Sequence, residues 1–253
     1  MEDPAAQRRM SLLFSLYEPL FRKAPGSDRS TRQALLLTGS PRPSKIIEFG
    51  CGSGAATLVL AASTETAVTA VDIHQSFLAD LKRRAARAGF SGRIRTCRAD
   101  MAAPPFPDGS FNLVWSEGAI YLMGFESGLK RWRRLLRPGG CVAVSEVTWL
   151  CTNPPLAAAD YWAAGYPAMT TIQSNLATLR SCGFDPLGHF TLPPEDWSEN
   201  FYRPLEERLR HFRTEHATDP DAQTLADEEE REIELWRNHG DSYGYVFYVG
   251  RAC

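Results

Sequence analysis

The run Lys45-Ile46-Ile47-Glu48-Phe49-Gly50-Cys51-Gly52-Ser53-Gly54 drives an apolar strand straight into three spaced glycines. Ala55-Ala56-Thr57-Leu58-Val59-Leu60 then opens a helix. Glycine lets the backbone turn tightly and approach a ligand closely, and the new helix points unpaired N–H groups at that ligand. An acid, Glu48, stands two residues before the first glycine. A carboxylate there repels a phosphate but accepts from an ammonium or a hydroxyl. The pattern suggests a ligand with a charged amino-acid end.

The same string satisfies a rival. Gly50-x-Gly52-x-x-Ala55 also fits the dinucleotide pattern G-x-G-x-x-G/A, and a bare strand-to-helix turn needs no ligand at all. Context separates these readings. Val68-Thr69-Ala70-Val71 is a short β-branched strand ending in Asp72, about 20 residues past the turn. An acid there accepts both hydroxyls of a ribose; its alternative role is to cap the helix expected from Gln75 to Ala88. A third strand, Arg93 to Arg98, ends at Ala99-Asp100-Met101. Asp100 is placed to take an exocyclic amine while Met101 packs on an adenine ring. A proline-rich loop follows, and Phe111-Asn112-Leu113-Val114-Trp115-Ser116 is a fourth strand.

These residues resemble the class I S-adenosylmethionine-dependent methyltransferases. The matching pieces are Glu48-x-Gly50-x-Gly52-x-Gly54, Val71-Asp72, Ala99-Asp100-Met101, Phe111 to Val114, and Leu135-Leu136-Arg137-Pro138-Gly139-Gly140 before an apolar strand. The segments around Trp115 to Tyr121 and Ser145 to Trp149 resemble a subgroup without an assigned acceptor. The resemblance implies S-adenosyl-L-methionine as cofactor and S-adenosyl-L-homocysteine as product. It places Gly50, Gly52 and Gly54 against the methionine part, with Glu48 holding the turn. It gives the ribose to Asp72, the adenine to Ile73, Asp100 and Met101, and puts Ser116 near the sulfonium. Asn112 stands where the family often has an acid.

Composition sets limits. The chain has 253 residues and is 43% hydrophobic, enough for one sizeable α/β core with additions. A net charge of −2 argues against a nucleic-acid partner. Six cysteines without a C-x-x-C pair read as reduced thiols of a cytoplasmic protein, and no Cys/His cluster suggests a metal. No apolar run approaches the length of a membrane span, so no membrane partner is expected. The start Met1-Glu2-Asp3-Pro4 does not resemble a signal peptide.

The expected architecture is α/β: a seven-stranded, mostly parallel, doubly wound sheet of Rossmann-like type with helical lid insertions. Strands are expected near 45–49, 67–71, 93–98, 111–116, 140–147, 186–192 and 243–250. By the resemblance the last inserts antiparallel beside the sixth. One domain is expected over 1–253, with a lid helix in 1–30, a cofactor core in 31–150 and substrate-lid insertions with the last two strands in 151–253. The first helix is read near Arg8 to Arg22. Thr152 to Thr170 and Pro193 to Asp241 follow strands at the carboxyl edge of the sheet, where ligands of such sheets bind. The acidic run Asp227 to Glu230 reads as a solvated helix face, and His189 as a core histidine inside a strand.

The lid decides the acceptor. Tyr17, Trp149, Tyr166, Trp197 and Tyr202 are the candidate pocket, with Tyr161, Trp162 and Phe201 beside them. Such rings hold an amine by cation–π contact or an apolar ring by stacking, or simply pack the lid. Glu117, Tyr121 and Glu146 are the catalytic candidates. The two acids end predicted buried strands, where a carboxylate needs a partner or a raised pKa. Their alternatives are a helix-terminal acid for Glu117 and a salt bridge for Glu146. Asn153-Pro154-Pro155-Leu156 mimics a motif of amino-methylating nucleic-acid enzymes but follows the wrong strand and lacks its aromatic residue. The expected activity is methyl transfer to an O or N atom of a small molecule. A nicotinamide-dependent oxidoreductase and a non-catalytic nucleoside-binding protein are the alternatives.

Overall fold

A computed structural model describes residues 3–39 and 45–253. Among these, seven strands form one sheet in the order β3-β2-β1-β4-β5-β7-β6. They are β1 (Ile46–Phe49), β2 (Val68–Asp72), β3 (Ile94–Arg98), β4 (Phe111–Ser116), β5 (Leu136–Trp149), β6 (Phe184–Thr191) and β7 (Tyr243–Ala252). Strands β1 to β5 pair in parallel, and β7 runs antiparallel between β5 and β6. This is the expected architecture.

Both faces of the sheet are covered, so its central strands are apolar on both sides rather than alternating. All four residues of β1 are buried. In β5, Cys141, Ala143 and Val147 join the core on one face while Val142 and Val144 join the other. The first face packs Trp115 and Phe247 with the N-terminal and inserted helices; the second stacks Phe49 on Trp132 at 4.6 Å. The Leu-Arg-Pro-Gly-Gly segment is not a free turn. It enters β5 as a bulge: Phe111 pairs with Leu136, and Leu113 next pairs with Cys141.

The helices before and between the strands are α1 (Pro4–Tyr17), α2 (Asp28–Leu37), α3 (Ala55–Thr64), α4 (Gln75–Arg87) and α5 (Phe125–Arg133). After β5 come α6 (Leu156–Gly165), α7 (Ile172–Ser181), α8 (Pro194–Trp197), a π turn (Ser198–Tyr202), α9 (Arg203–Glu215) and α10 (Pro220–His239). The first helix starts and stops earlier than the sequence suggests. The Asp3 side chain accepts from the Ala5 N–H, with Pro4 in the first turn. At the other end the Lys23 ammonium donates to the Tyr17 and Glu18 carbonyls at 2.8 and 3.0 Å, and to Leu20. A cation on the last carbonyls closes a helix.

Two sequence expectations are corrected here. His189 is exposed, because β6 is the edge of the sheet. The acidic run in α10 is not wholly a solvated face. Ala222, Leu225, Ala226 and Ile233 are buried on one side of the helix. Glu229 and Glu232 fall on that same side at helical spacing and are only half-exposed.

Candidate active site

The carboxyl ends of β1, β2 and β4 open onto a cavity of about 890 Å³, and the inserted helices roof it. One wall comes from the sheet: Glu48, Gly50, Cys51, Gly52, Asp72, Ile73, Asp100 and Met101 all line it. The opposite wall comes from α1, α6, α10 and β7 and is largely aromatic.

The glycine turn is built for close approach. Gly50 has φ +65°, and a Cβ there would lie 2.4 Å from the Ala119 Cβ, so any side chain would break the turn. Gly54 serves a different purpose and does not line the cavity. A Cβ on it would lie 2.1 Å from Leu81, so this third glycine lets α3 pack on α4.

The strand-end acids differ in what they hold. Asp72 accepts from the Gly52 N–H at 2.9 Å and from the His74 N–H at 2.8 Å. It thus fastens the glycine turn and starts α4 while still facing the cavity. Burial pushes its pKa up, and the two backbone donors pull it back. Glu48 is 2% exposed and accepts from the Thr57 hydroxyl on α3. Burial raises it to about 8, so it is protonated at neutral pH. Asp100 is exposed and accepts from the Ala102 N–H at 2.8 Å. Ile73 is 59% exposed at the rim.

Glu117 lines the cavity but is not free. Its Oε1 accepts from the Thr31 hydroxyl at 2.8 Å and from Trp115 Nε1 at 2.9 Å, and its Oε2 lies 3.7 Å from Arg22. Burial raises its pKa, and Arg22 opposes the rise. It ties the 22–31 segment to the sheet. A 3-10 turn follows at Ile120–Met123, and from it Tyr121 enters the cavity.

Five other candidates sit behind the cavity wall or away from it. Gly54 is described above. Ser116 is fully buried with its hydroxyl unpaired, and does not line the cavity. Glu146 is 1% exposed, and neither oxygen has a hydrogen-bond partner. Burial raises it to about 8; the nearby Tyr166 hydroxyl offsets this slightly without reaching bonding geometry. Side chains alternate along a strand, and Val147, not Glu146, is on the cavity side of β5. Trp149 packs edge-on against Tyr243 at 6.1 Å. Tyr202 is buried behind the lining and meets it through its bond to Glu232 and its packing on Trp197 and Phe201. Tyr17, Tyr121, Tyr166 and Trp197 do line the cavity, as do Tyr161, Trp162 and Phe201.

Sequence reading missed Lys23, Glu229 and Glu232. Lys23 lies over the Phe77 ring at 4.5 Å and beside Gly52, and burial lowers its pKa to about 8. The two glutamates had a readable signal, their place in the apolar stripe of α10. Among the described residues no cluster of His, Cys, Asp and Glu is arranged to hold a metal. No helix there is long and apolar enough to cross a membrane.

Residues 46–140 match a family described as "Methyltransferase domain". The chain is 27% identical over 186 residues to a sterol 24-C-methyltransferase of Neurospora crassa, covering 70% of this chain and 48% of that protein. It is 27% identical over 187 residues to a 27-O-demethylrifamycin SV methyltransferase of Amycolatopsis mediterranei, covering 66% of each. The chain thus spans about half the length of the sterol enzymes it matches. In structure it is similar to an S-adenosylmethionine-dependent methyltransferase from Thiobacillus denitrificans in complex with S-adenosyl-L-homocysteine. The TM-score is 0.81 with 19% identity, over 100% of both chains.

Proposed function

We propose, on the premise that the chain belongs to the S-adenosylmethionine-dependent methyltransferase family, that it transfers a methyl group from S-adenosyl-L-methionine to a small-molecule acceptor. One observation carries this reading. The family-matched segment supplies one wall of a single cavity, and the helical insertions outside that segment supply the other. Donor and acceptor compartments are therefore continuous, as a direct transfer requires. A nicotinamide-dependent reading is set aside, since the matching family is a methyltransferase family.

The residues present suit the cofactor. Asp72 lines the cavity and takes one backbone donor on each oxygen, which leaves lone pairs for ribose hydroxyls. Ile73 and Met101 offer apolar cover for an adenine, with Asp100 at its edge. Gly50 and Gly52 bring the backbone to the cavity without a side chain, and the Lys23 stem lies along Gly52 while its ammonium is held by the Tyr17, Glu18 and Leu20 carbonyls. When bound, S-adenosylmethionine supplies an electrophilic methyl group on a sulfonium, and S-adenosylhomocysteine is the product. The acceptor's lone pair forms the new bond to carbon, sulfur keeps the electrons of the broken one, and any acceptor proton leaves to a base.

The chain's own groups divide that work. Burial pushes the Tyr121 phenol up to about 12, so it stays protonated and orients by donating. Glu117 acts as a positioning residue through Arg22 and Thr31. Glu146, protonated at neutral pH, supports the Tyr166 wall from behind. The α1 helix and the insertions exclude water from the transfer. Calorimetry tests the reading: S-adenosylmethionine and S-adenosylhomocysteine should bind and NAD should not. Binding of NAD with no binding of either sulfur nucleoside would overturn it.

A further inference from the structure

The acceptor end of the cavity is anionic in a way that methyl transfer alone does not require. Glu229 and Glu232 stand about one turn apart on α10, and both line the cavity. Their hydrogen bonds come from tyrosines. Tyr17 donates to Glu229 at 2.7 Å; Tyr161 and Tyr202 donate to Glu232 at 3.0 and 3.1 Å. Among the described residues no Lys, Arg or His forms an ion pair with either glutamate. Arg9 on α1 lines the cavity and acts on Glu229 through space, but its guanidinium is paired with Glu228 at 2.6 Å.

The remaining wall around them is aromatic: Trp162, Tyr166, Trp197, Phe201 and Tyr245. Two further polar groups in this region lack partners. Trp162 Nε1 is buried and unpaired at the cavity wall, and behind Tyr166 the Glu146 carboxyl is buried with both oxygens unpaired. Two carboxylates facing one largely aromatic space, offset in part by Arg9, which lines the cavity and opposes the rise in Glu229, favour the entry of a further positive group. Burial and the mutual repulsion of the pair raise Glu229 to about 7, and burial raises Glu232.

A neutral apolar acceptor would leave these carboxylates against hydrocarbon, and an anionic one would be repelled. An organic ammonium satisfies both walls. Its N–H groups donate to the carboxylates in charge-assisted bonds, and its charge lies against the ring faces.

We propose that the acceptor carries a protonated amine and that Glu229 and Glu232 are the pair that selects it. This deepens the methyl-transfer reading and rests on it.

The test is calorimetry on the full chain saturated with S-adenosylhomocysteine. The probes are matched pairs: benzylamine and benzyl alcohol, 2-phenylethylamine and 2-phenylethanol, cyclohexylamine and cyclohexanol. At least one amine should bind about tenfold tighter than its alcohol. In Glu229→Gln and Glu232→Gln, made singly, that preference should shrink while S-adenosylhomocysteine affinity stays at the wild-type value. Equal binding of amines and alcohols across the panel would overturn the proposal, as would a preference that survives both substitutions. If S-adenosylhomocysteine itself fails to bind, the methyl-transfer reading falls instead. The same amine preference is then measured on the ligand-free chain, where its absence would still sink the proposal.

Discussion

Tyr17, the last residue of α1, donates a 2.7 Å hydrogen bond to Glu229 on α10, 212 residues further along the chain. This bond joins the first helix to the last insertion directly over the acceptor compartment. Arg8 and Arg9 extend the same seam with ion pairs to Asp219, Asp221 and Glu228, at 2.6 to 2.9 Å. Those outer pairs are exposed and are worth little each; the tyrosine–carboxylate bond is shielded and carries more.

Tyr17→Phe should therefore loosen the lid without altering the sheet. With Glu229 raised to about 7, the lost bond lies between a neutral and a charged one and costs about 1–2 kcal/mol of local stability. Hydrogen exchange should speed up in 4–17 and in 220–235, while β1, β4 and β5 stay protected. Wild-type exchange in both helices would show that the seam is held elsewhere.

Asp72→Ala and Asp72→Asn separate two roles of one side chain. Alanine abandons the Gly52 and His74 N–H groups as well as any ribose. It should weaken S-adenosylhomocysteine binding at least about tenfold and lower stability by about 1–3 kcal/mol. Asparagine keeps one acceptor and should recover part of the stability with less of the affinity. Calorimetry and thermal unfolding read the two effects; unchanged affinity in a folded alanine variant would remove Asp72 from the ribose site.

Glu117→Gln keeps the shape and removes the charge facing Arg22. A positioning role predicts faster exchange in 22–31 and weaker S-adenosylhomocysteine binding, since this segment covers the glycine turn through Lys23. A general-base role predicts instead a fall in turnover of about 10²–10⁴-fold with cofactor affinity preserved. The first outcome is expected, because both carboxylate oxygens are already engaged.

Stability of the ligand-free protein should fall as pH rises from about 5 to about 8. Glu48 and Glu146 have pKa values raised to about 8, and Glu229 to about 7, from an ordinary 4.5. The folded state then holds protons that the unfolded chain has already released. Stability is full below the unfolded value and is lost as pH passes the folded one. Each group contributes at most about 1.4 kcal/mol per pH unit. Lys23, lowered to about 8 by burial, has the opposite sign and restores some stability above that pH. Glu146→Gln should flatten the decline measured by chemical denaturation. A flat profile in the wild type would mean that these carboxyls find partners in solution.

Local pattern carried much of this protein. Strands, their order in the chain and the glycine turn were legible because each depends on neighbours in sequence: an apolar run, a positive-φ glycine, an acid at a strand end. The antiparallel place of β7 came through resemblance, not from its own residues. What lay beyond sequence depends on distant segments meeting. Gly54 shares the spacing of Gly50 and Gly52, yet it faces Leu81 while they face the cavity. Glu117 directly follows β4, where a catalytic acid would stand, but Thr31 from α2 and Arg22 from the loop before it arrive to occupy it. Glu229 and Glu232 fall in the apolar stripe of α10, which says that they face inward but not what they face. Only the packing of α10 against α1 and α6 turns them into the cavity, where tyrosines from three separate segments meet them. Secondary structure follows from interactions a few residues long, whereas the polarity of a cavity is set by side chains whose approach only the closed tertiary structure decides.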